Sequence, residues 1–123
     1  MAHLVHPAAE DITLEGILHA LADPVRVRIF AEITKADQAR TCSALLKVCD
    51  KPVPKSTLSQ HFKVLREAGL IRSERQGVEL HNTLRHADLQ GCFGGLISAI
   101  LEAHAAQRER GARSARSRRA RRS

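Results

Sequence analysis

The stretch Pro54–Leu70, PKSTLSQHFKVLREAGL, constrains this chain more than any other. Leu58, Phe62 and Leu65 stand at i, i+4 and i+7, which is one apolar stripe on a helix. Ser56 is suited to be its N-cap, and Gly69 stands where a C′ glycine ends a helix. At about 100° per residue, Ser56, Gln60 and Lys63 fall nearly opposite the stripe, with Thr57, Ser59 and His61 on its flanks. That outer face offers an amide, hydroxyls, an imidazole and an ammonium, groups suited to base edges and phosphates. An ordinary solvated helix face carries the same groups. The reading therefore depends on what surrounds the helix.

Upstream, ITLEGILHALA spaces Ile12, Leu14, Ile17, Leu18 and Leu21 as a first amphipathic helix. Asp23 followed by Pro24 is an N-cap with proline at the first helical position, a strong start signal. The helix it opens, PVRVRIFAEITKA, is expected to bury Val25, Ile29, Phe30 and Ile33. Thr41 caps a short third helix, CSALLKV, and the prolines of the connector CDKPVPK prevent it from continuing into the next element. Downstream of Gly69 the period changes. Leu70–Glu74 and Val78–Leu84 read as two strands around Arg75, Gln76 and Gly77, and Asn82 is the exception to the apolar alternation of the second. A glycine in the turn suits a hairpin. Helix, connector, helix and hairpin in that order form a winged helix-turn-helix.

The last helix, HADLQGCFGGLISAILEAHAAQ, carries a broad apolar face of Leu89, Phe93, Leu96, Ile97, Ile100 and Leu101, with three glycines near its start. The expected fold is therefore mainly α with a small β-hairpin wing. Two strongly apolar terminal helices exceed what one small domain needs, so they are expected to pair across a twofold axis in a homodimer. The alternative is that they complete the core of the monomer.

Charge divides the chain in two. The net charge of +7 is carried by residues 107–123, which hold eight arginines against Glu109, while residues 1–106 balance to zero. A winged helix-turn-helix DNA-binding and dimerisation domain is expected over 1–106, and a disordered Arg-rich tail over 107–123. The tail is expected to act as a non-specific clamp on DNA phosphates. No apolar run approaches a membrane span, and the N-terminus lacks a secretory pattern. Three cysteines without metal-finger spacing fit a reducing, cytoplasmic setting.

The segments LADPVRVRIFAEI and KSTLSQHFKVLREAGLIRSERQGVELHNTLR resemble the ArsR/SmtB family of bacterial repressors, and the resemblance covers about residues 12–104. It implies a dimeric, nucleoid-associated repressor that leaves its double-stranded operator when an effector arrives. By position, it implies that Ser56, Thr57, Ser59, Gln60, His61 and Lys63 face the major groove, with Lys55 on phosphate. Arg72, Arg75 and Gln76 would then belong to the wing.

The metal sites of such repressors do not map well here. Cys42 and Cys49 are seven residues apart, about 10.5 Å of rise on a straight helix, too far for two thiolates on one zinc. The other pattern, Asp-x-His followed by further histidines on the last helix, anchored on Asp88 gives Gln90, Leu101 and His104. Leucine cannot ligate, so no metal or other cofactor is expected. Cys42, Cys49 and Cys92 remain as candidates for a thiol-reactive, redox or arsenite-like effector, with lowered pKa as the requirement for reactivity. A small buried apolar role competes for each of them.

Enzyme signatures such as a nucleophile elbow, a phosphate loop or HExxH do not occur. Exposed aromatics for stacking single strands are also lacking, since the chain has three Phe and no Tyr or Trp. The rival reading is a winged-helix protein-interaction module whose Arg tail holds RNA or an acidic partner.

Overall fold

The computed structural model describes residues 4–36, 38–47, 49 and 51–122. Its elements are α1 (Leu14–Ala20), α2 (Pro24–Lys35), β1 (Arg40–Thr41), α3 (Cys42–Leu46), α4 (Lys55–Glu67), β2 (Ile71–Gln76), β3 (Glu79–Leu84) and α5 (His86–Arg122). The chain parts into two compact units, one up to Gly91 and one from Cys92 onward.

In the first unit the helix starts follow local chemistry. Thr13 caps α1 by accepting from the Gly16 N–H at 3.0 Å. Asp23 Oδ1 accepts from the N–H groups of Val25 and Arg26 at 2.8 and 3.1 Å, with Pro24 at the first helical position of α2. Burial works against the Asp23 carboxylate, but those two amides hold its pKa below the usual value. Thr41 Oγ1 accepts from the Ala44 N–H and starts α3. The expected continuation of α3 to Val48 lies outside the described residues.

The core of this unit gathers Ile17 and Ala20 of α1, Ile29, Phe30 and Ile33 of α2, Leu45 of α3, and Leu58, Phe62 and Leu65 of α4. Val27 is buried where Val25 was expected, and Val25 stays half-exposed. Arg26 ties three helices together. Its Nε donates to the Ala20 carbonyl at 2.7 Å and its Nη2 to the His19 carbonyl at 3.2 Å, satisfying the open end of α1. Its Nη1 lies 3.5 Å from His61 Nδ1 on α4.

The sheet is antiparallel with order β1-β3-β2, pairing Arg40 with Asn82 and Ser73 with Asn82 across the two ladders. The two residues between β2 and β3 are Gly77 and Val78, and φ is +65° at Gly77 and not positive at Val78, the pattern of a type II′ hairpin. The hairpin begins one residue later than the sequence pattern suggests and its second strand starts at Glu79, because Val78 occupies the turn, 94% exposed. β1 is a strand the sequence does not announce, since two residues are too short for an alternation to register.

The second unit is one continuous helix through Arg122. The stretch 107–122, expected to be disordered, is helical here. Alanine and arginine are among the strongest helix formers, and the segment has no proline to stop them. Spacing of i, i+4 adds an Arg113–Glu109 ion pair at 3.8 Å and an Arg121 to Ser117 hydrogen bond at 3.1 Å.

Candidate nucleic-acid interface

The helix α4 is held rigidly from beneath. Ala68 is its C-cap, and Gly69 follows with φ +85°. The Leu70 N–H donates to the Leu65 carbonyl at 3.1 Å and the Gly69 N–H to the Arg66 carbonyl at 3.0 Å. This is a Schellman closure, with Leu65 and Leu70 both fully buried beside it. A Cβ on Gly69 would collide with Ile12 Cγ1, so the N-terminal arm is packed directly against the turn between α4 and the wing.

The start of α4 differs from the expectation. The helix begins at Lys55 with Pro54 as N-cap, and Ser56 lies inside the first turn without capping it. No side chain caps this end. The first-turn amides are thus left for an external acceptor at the positive end of the helix dipole.

The six residues Lys55, Ser56, Thr57, Ser59, Gln60 and Lys63 are all exposed. They form a contiguous polar face above the buried Leu58–Phe62–Leu65 stripe. Arg72, Arg75 and Gln76 on the wing are exposed as well. His61 departs from the pattern expected of it. It is 9% exposed and faces Arg26 on α2. Positions 58, 61, 62 and 65 are the i, i+3, i+4, i+7 face of one helix, so His61 falls on the packed side.

Three residues outside the expected set prove structural determinants of this region. Asn82 is fully buried, accepts from Ser73 Oγ at 2.7 Å, and donates through Nδ2 to the Arg40 carbonyl at 3.0 Å. The same amide lies 3.5 Å from Cys42 Sγ. The exception to the strand alternation is therefore a satisfied polar latch joining wing, β1 and α3. His6 Nε2 accepts from the Ser73 N–H at 3.0 Å, which closes an otherwise open amide on the edge strand β2. Burial, then the charges of Arg72, Arg66 and Arg85, lower the His6 pKa. Arg66 is only 7% exposed, and its buried Nε has no hydrogen-bond partner among the described residues. Its position four residues after Phe62 signals the burial.

The cysteines are all reduced thiols, with Cys42 and Cys49 half-buried and Cys92 exposed. Burial raises the Cys42 pKa, and the Asn82 amide, Arg66 and the backbone only partly offset it. Desolvation thus sets the direction at Cys42, opposite to the lowering that a reactive thiol requires. Cys49 Sγ lies 3.9 Å from the Leu45 carbonyl, on a partner separate from that of Cys42. Among the described residues no group of three or more His, Cys, Asp or Glu is placed to hold a metal ion.

Comparison with known proteins agrees with this geometry. Residues 21–74 match the helix-turn-helix domain family. The chain is 29% identical over 92 residues to the uncharacterized HTH-type transcriptional regulator YceK of Bacillus subtilis, covering 75% of this chain and 90% of that protein. It is 36% identical over 75 residues to the HTH-type transcriptional repressor SmtB of Mycobacterium tuberculosis, covering 60% of this chain and 53% of SmtB. The aligned part thus spans about half the length of SmtB. A solved ArsR family transcriptional regulator shares the fold with a TM-score of 0.55 at 24% identity, covering 89% of this chain and 98% of that one.

Proposed function

We propose that the chain is an ArsR/SmtB-like winged helix-turn-helix transcriptional repressor, a reading its similarity to such proteins supports, and that it reads its operator with the outer face of α4. Lys55, Ser56, Thr57, Ser59, Gln60 and Lys63 enter the major groove, and Arg72, Arg75 and Gln76 of the wing hold the neighbouring backbone or minor groove. The observation that carries this reading is the exposure of all nine side chains beside a helix whose opposite face is fully packed. Gln60 is suited to a bidentate contact with adenine, and Lys55 with the uncapped helix start is suited to phosphate. His61 is no part of this surface.

The protein works as a homodimer in this proposal. Leu14 and Leu18 of α1 are 44% and 46% exposed, an apolar pair that a second copy would cover. The basic end of α5 supplies sequence-independent attraction, since residues 1–106 have no net charge of their own. An effector releases the DNA. Burial holds Cys42 as a thiol rather than a thiolate, which weighs against a redox trigger at that residue.

The test is a mobility-shift titration with the protein's own upstream promoter against random duplex at fixed salt. Promoter binding should exceed random binding by orders of magnitude. Gln60→Ala should lose about 1–3 kcal/mol of preference at one base position. Equal affinity for both duplexes would reject operator reading and favour a protein-interaction module whose arginines hold RNA or an acidic partner.

A further inference from the structure

Between α4 and the wing lies a cavity of about 260 Å³. At about 30 Å³ of liquid volume per water it has room for roughly nine waters. That places it just below the range of pockets that hold drug-sized ligands. Leu4, Phe62 and Leu80 give it apolar walls. Arg66 and Cys42 line it too, and Lys63 lies at its polar side.

The charge in this cavity is incomplete. Arg66 is almost wholly removed from solvent, and its Nε finds no hydrogen-bond partner among the described residues. Among the described residues no carboxylate lines the cavity, whereas two cationic side chains do. Buried guanidinium groups are ordinarily matched by an anion, because an unmatched one forfeits its hydration without compensation. Guanidinium is also the side chain whose geometry fits a planar carboxylate with two parallel hydrogen bonds. The apolar walls have no use for an inorganic anion, but they suit a small hydrocarbon body attached to one.

We propose that this cavity binds a small organic carboxylate, with its charged end on Arg66 and its apolar body against Phe62, Leu80 and Leu4, and that the bound ligand weakens DNA binding. The regulatory half rests on the operator reading above. Ser56, Ser59, Gln60 and Lys63 belong both to the cavity wall and to the surface offered to DNA. A carboxylate seated there draws Lys63 away from the DNA and fixes the polar side chains in one arrangement. By linkage, DNA must weaken the ligand by the same factor.

The full chain is tested with benzoate as the probe and inorganic phosphate as a charge-only comparison, at matched ionic strength. Cys42 lines the cavity and reports occupancy directly. Its alkylation rate by iodoacetamide is followed by peptide mass spectrometry, with exposed Cys92 as the internal control. Benzoate should slow Cys42 several-fold, leave Cys92 unchanged, and raise the promoter dissociation constant about tenfold. Arg66→Lys should lose most of the protection, because a point charge replaces the planar fork. The wild-type protection stands as the deciding measurement if that variant does not fold. No slowing of Cys42 by benzoate overturns the site. Equal slowing by phosphate overturns the organic ligand. Protection of Cys42 without any change in promoter affinity overturns the regulatory half. A chain that shows the protection but has no promoter preference refutes the operator reading and leaves the carboxylate site intact.

Discussion

Replacing Asn82 with alanine is the most informative single perturbation of the wing. The wild-type side chain makes two short hydrogen bonds, from Ser73 Oγ at 2.7 Å and to the Arg40 carbonyl at 3.0 Å, and it has no exposed surface. Each bond contributes about 1 kcal/mol net, and each buried partner left unsatisfied adds a desolvation cost of similar size. Ser73 is 2% exposed, so its hydroxyl has little access to water as a substitute. The Arg40 carbonyl lies in a half-exposed residue and recovers part of its loss. The expected destabilisation is therefore about 2–4 kcal/mol, a large share of the 5–15 kcal/mol typical of a domain. Urea unfolding of wild type, Asn82→Ala, Ser73→Ala and the double variant measures it. The double variant should fall short of the sum of the singles by about 1 kcal/mol, the coupling of two residues that touch. Strict additivity, or a loss in Asn82→Ala below about 0.5 kcal/mol, which is the usual range for surface changes, would refute the latch.

Gly69→Ala and Gly77→Ala make a second comparison, since both replace a glycine of positive φ. Gly77 faces open space, so thermal melts should show only the backbone penalty of about 1 kcal/mol. At Gly69 the new methyl also meets Ile12, with Cδ1 at 2.6 Å, and the loss should reach about 2–4 kcal/mol. His6 provides a pH dependence. Its folded pKa lies below the ordinary 6.5, so the unfolded chain takes up the proton first and stability falls as pH drops from about 6.5 toward the folded value. His6→Gln should flatten that part of a pH series of unfolding midpoints, and an unchanged slope would assign it elsewhere. Deleting residues 107–123 should lower DNA affinity while keeping sequence preference, and should reduce the salt slope by about 0.9 for each phosphate that the arginines neutralise. An unchanged slope would show that the arginines do not touch DNA.

The helix-turn-helix was legible because its signals are local. Asp23-Pro24, the Leu58–Phe62–Leu65 stripe, Gly69 and Gly77 each specify a backbone conformation within a few residues, and the structure uses all of them. The outer face of α4 followed from the same periodicity, with Lys55, Ser56, Thr57, Ser59, Gln60 and Lys63 exposed. Periodicity applied more strictly would also have turned His61 inward, since it stands three residues after Leu58 and four before Leu65. The helical state of 107–122 was open to the same kind of reading. Low hydrophobicity argues only against burial, whereas alanine and arginine favour helix wherever the chain is solvated.

Tertiary structure decided everything that depends on partners distant in sequence. Asn82 and Arg40 are forty-two residues apart, and Ser73 and His6 sixty-seven, so no window along the chain pairs them. Cys42 was a candidate for a reactive thiol, but burial raises its pKa despite the Asn82 amide beside it. By residue type Arg66 is one more cation of α4, yet packing buries it beside a cavity whose wall, among the described residues, holds no carboxylate. Sequence by itself determined where α4 lies and which side of it faces out, because amphipathic spacing and chain stops act over a few residues. Only the fold decided which polar groups lose their water, because desolvation depends on what the rest of the chain brings alongside.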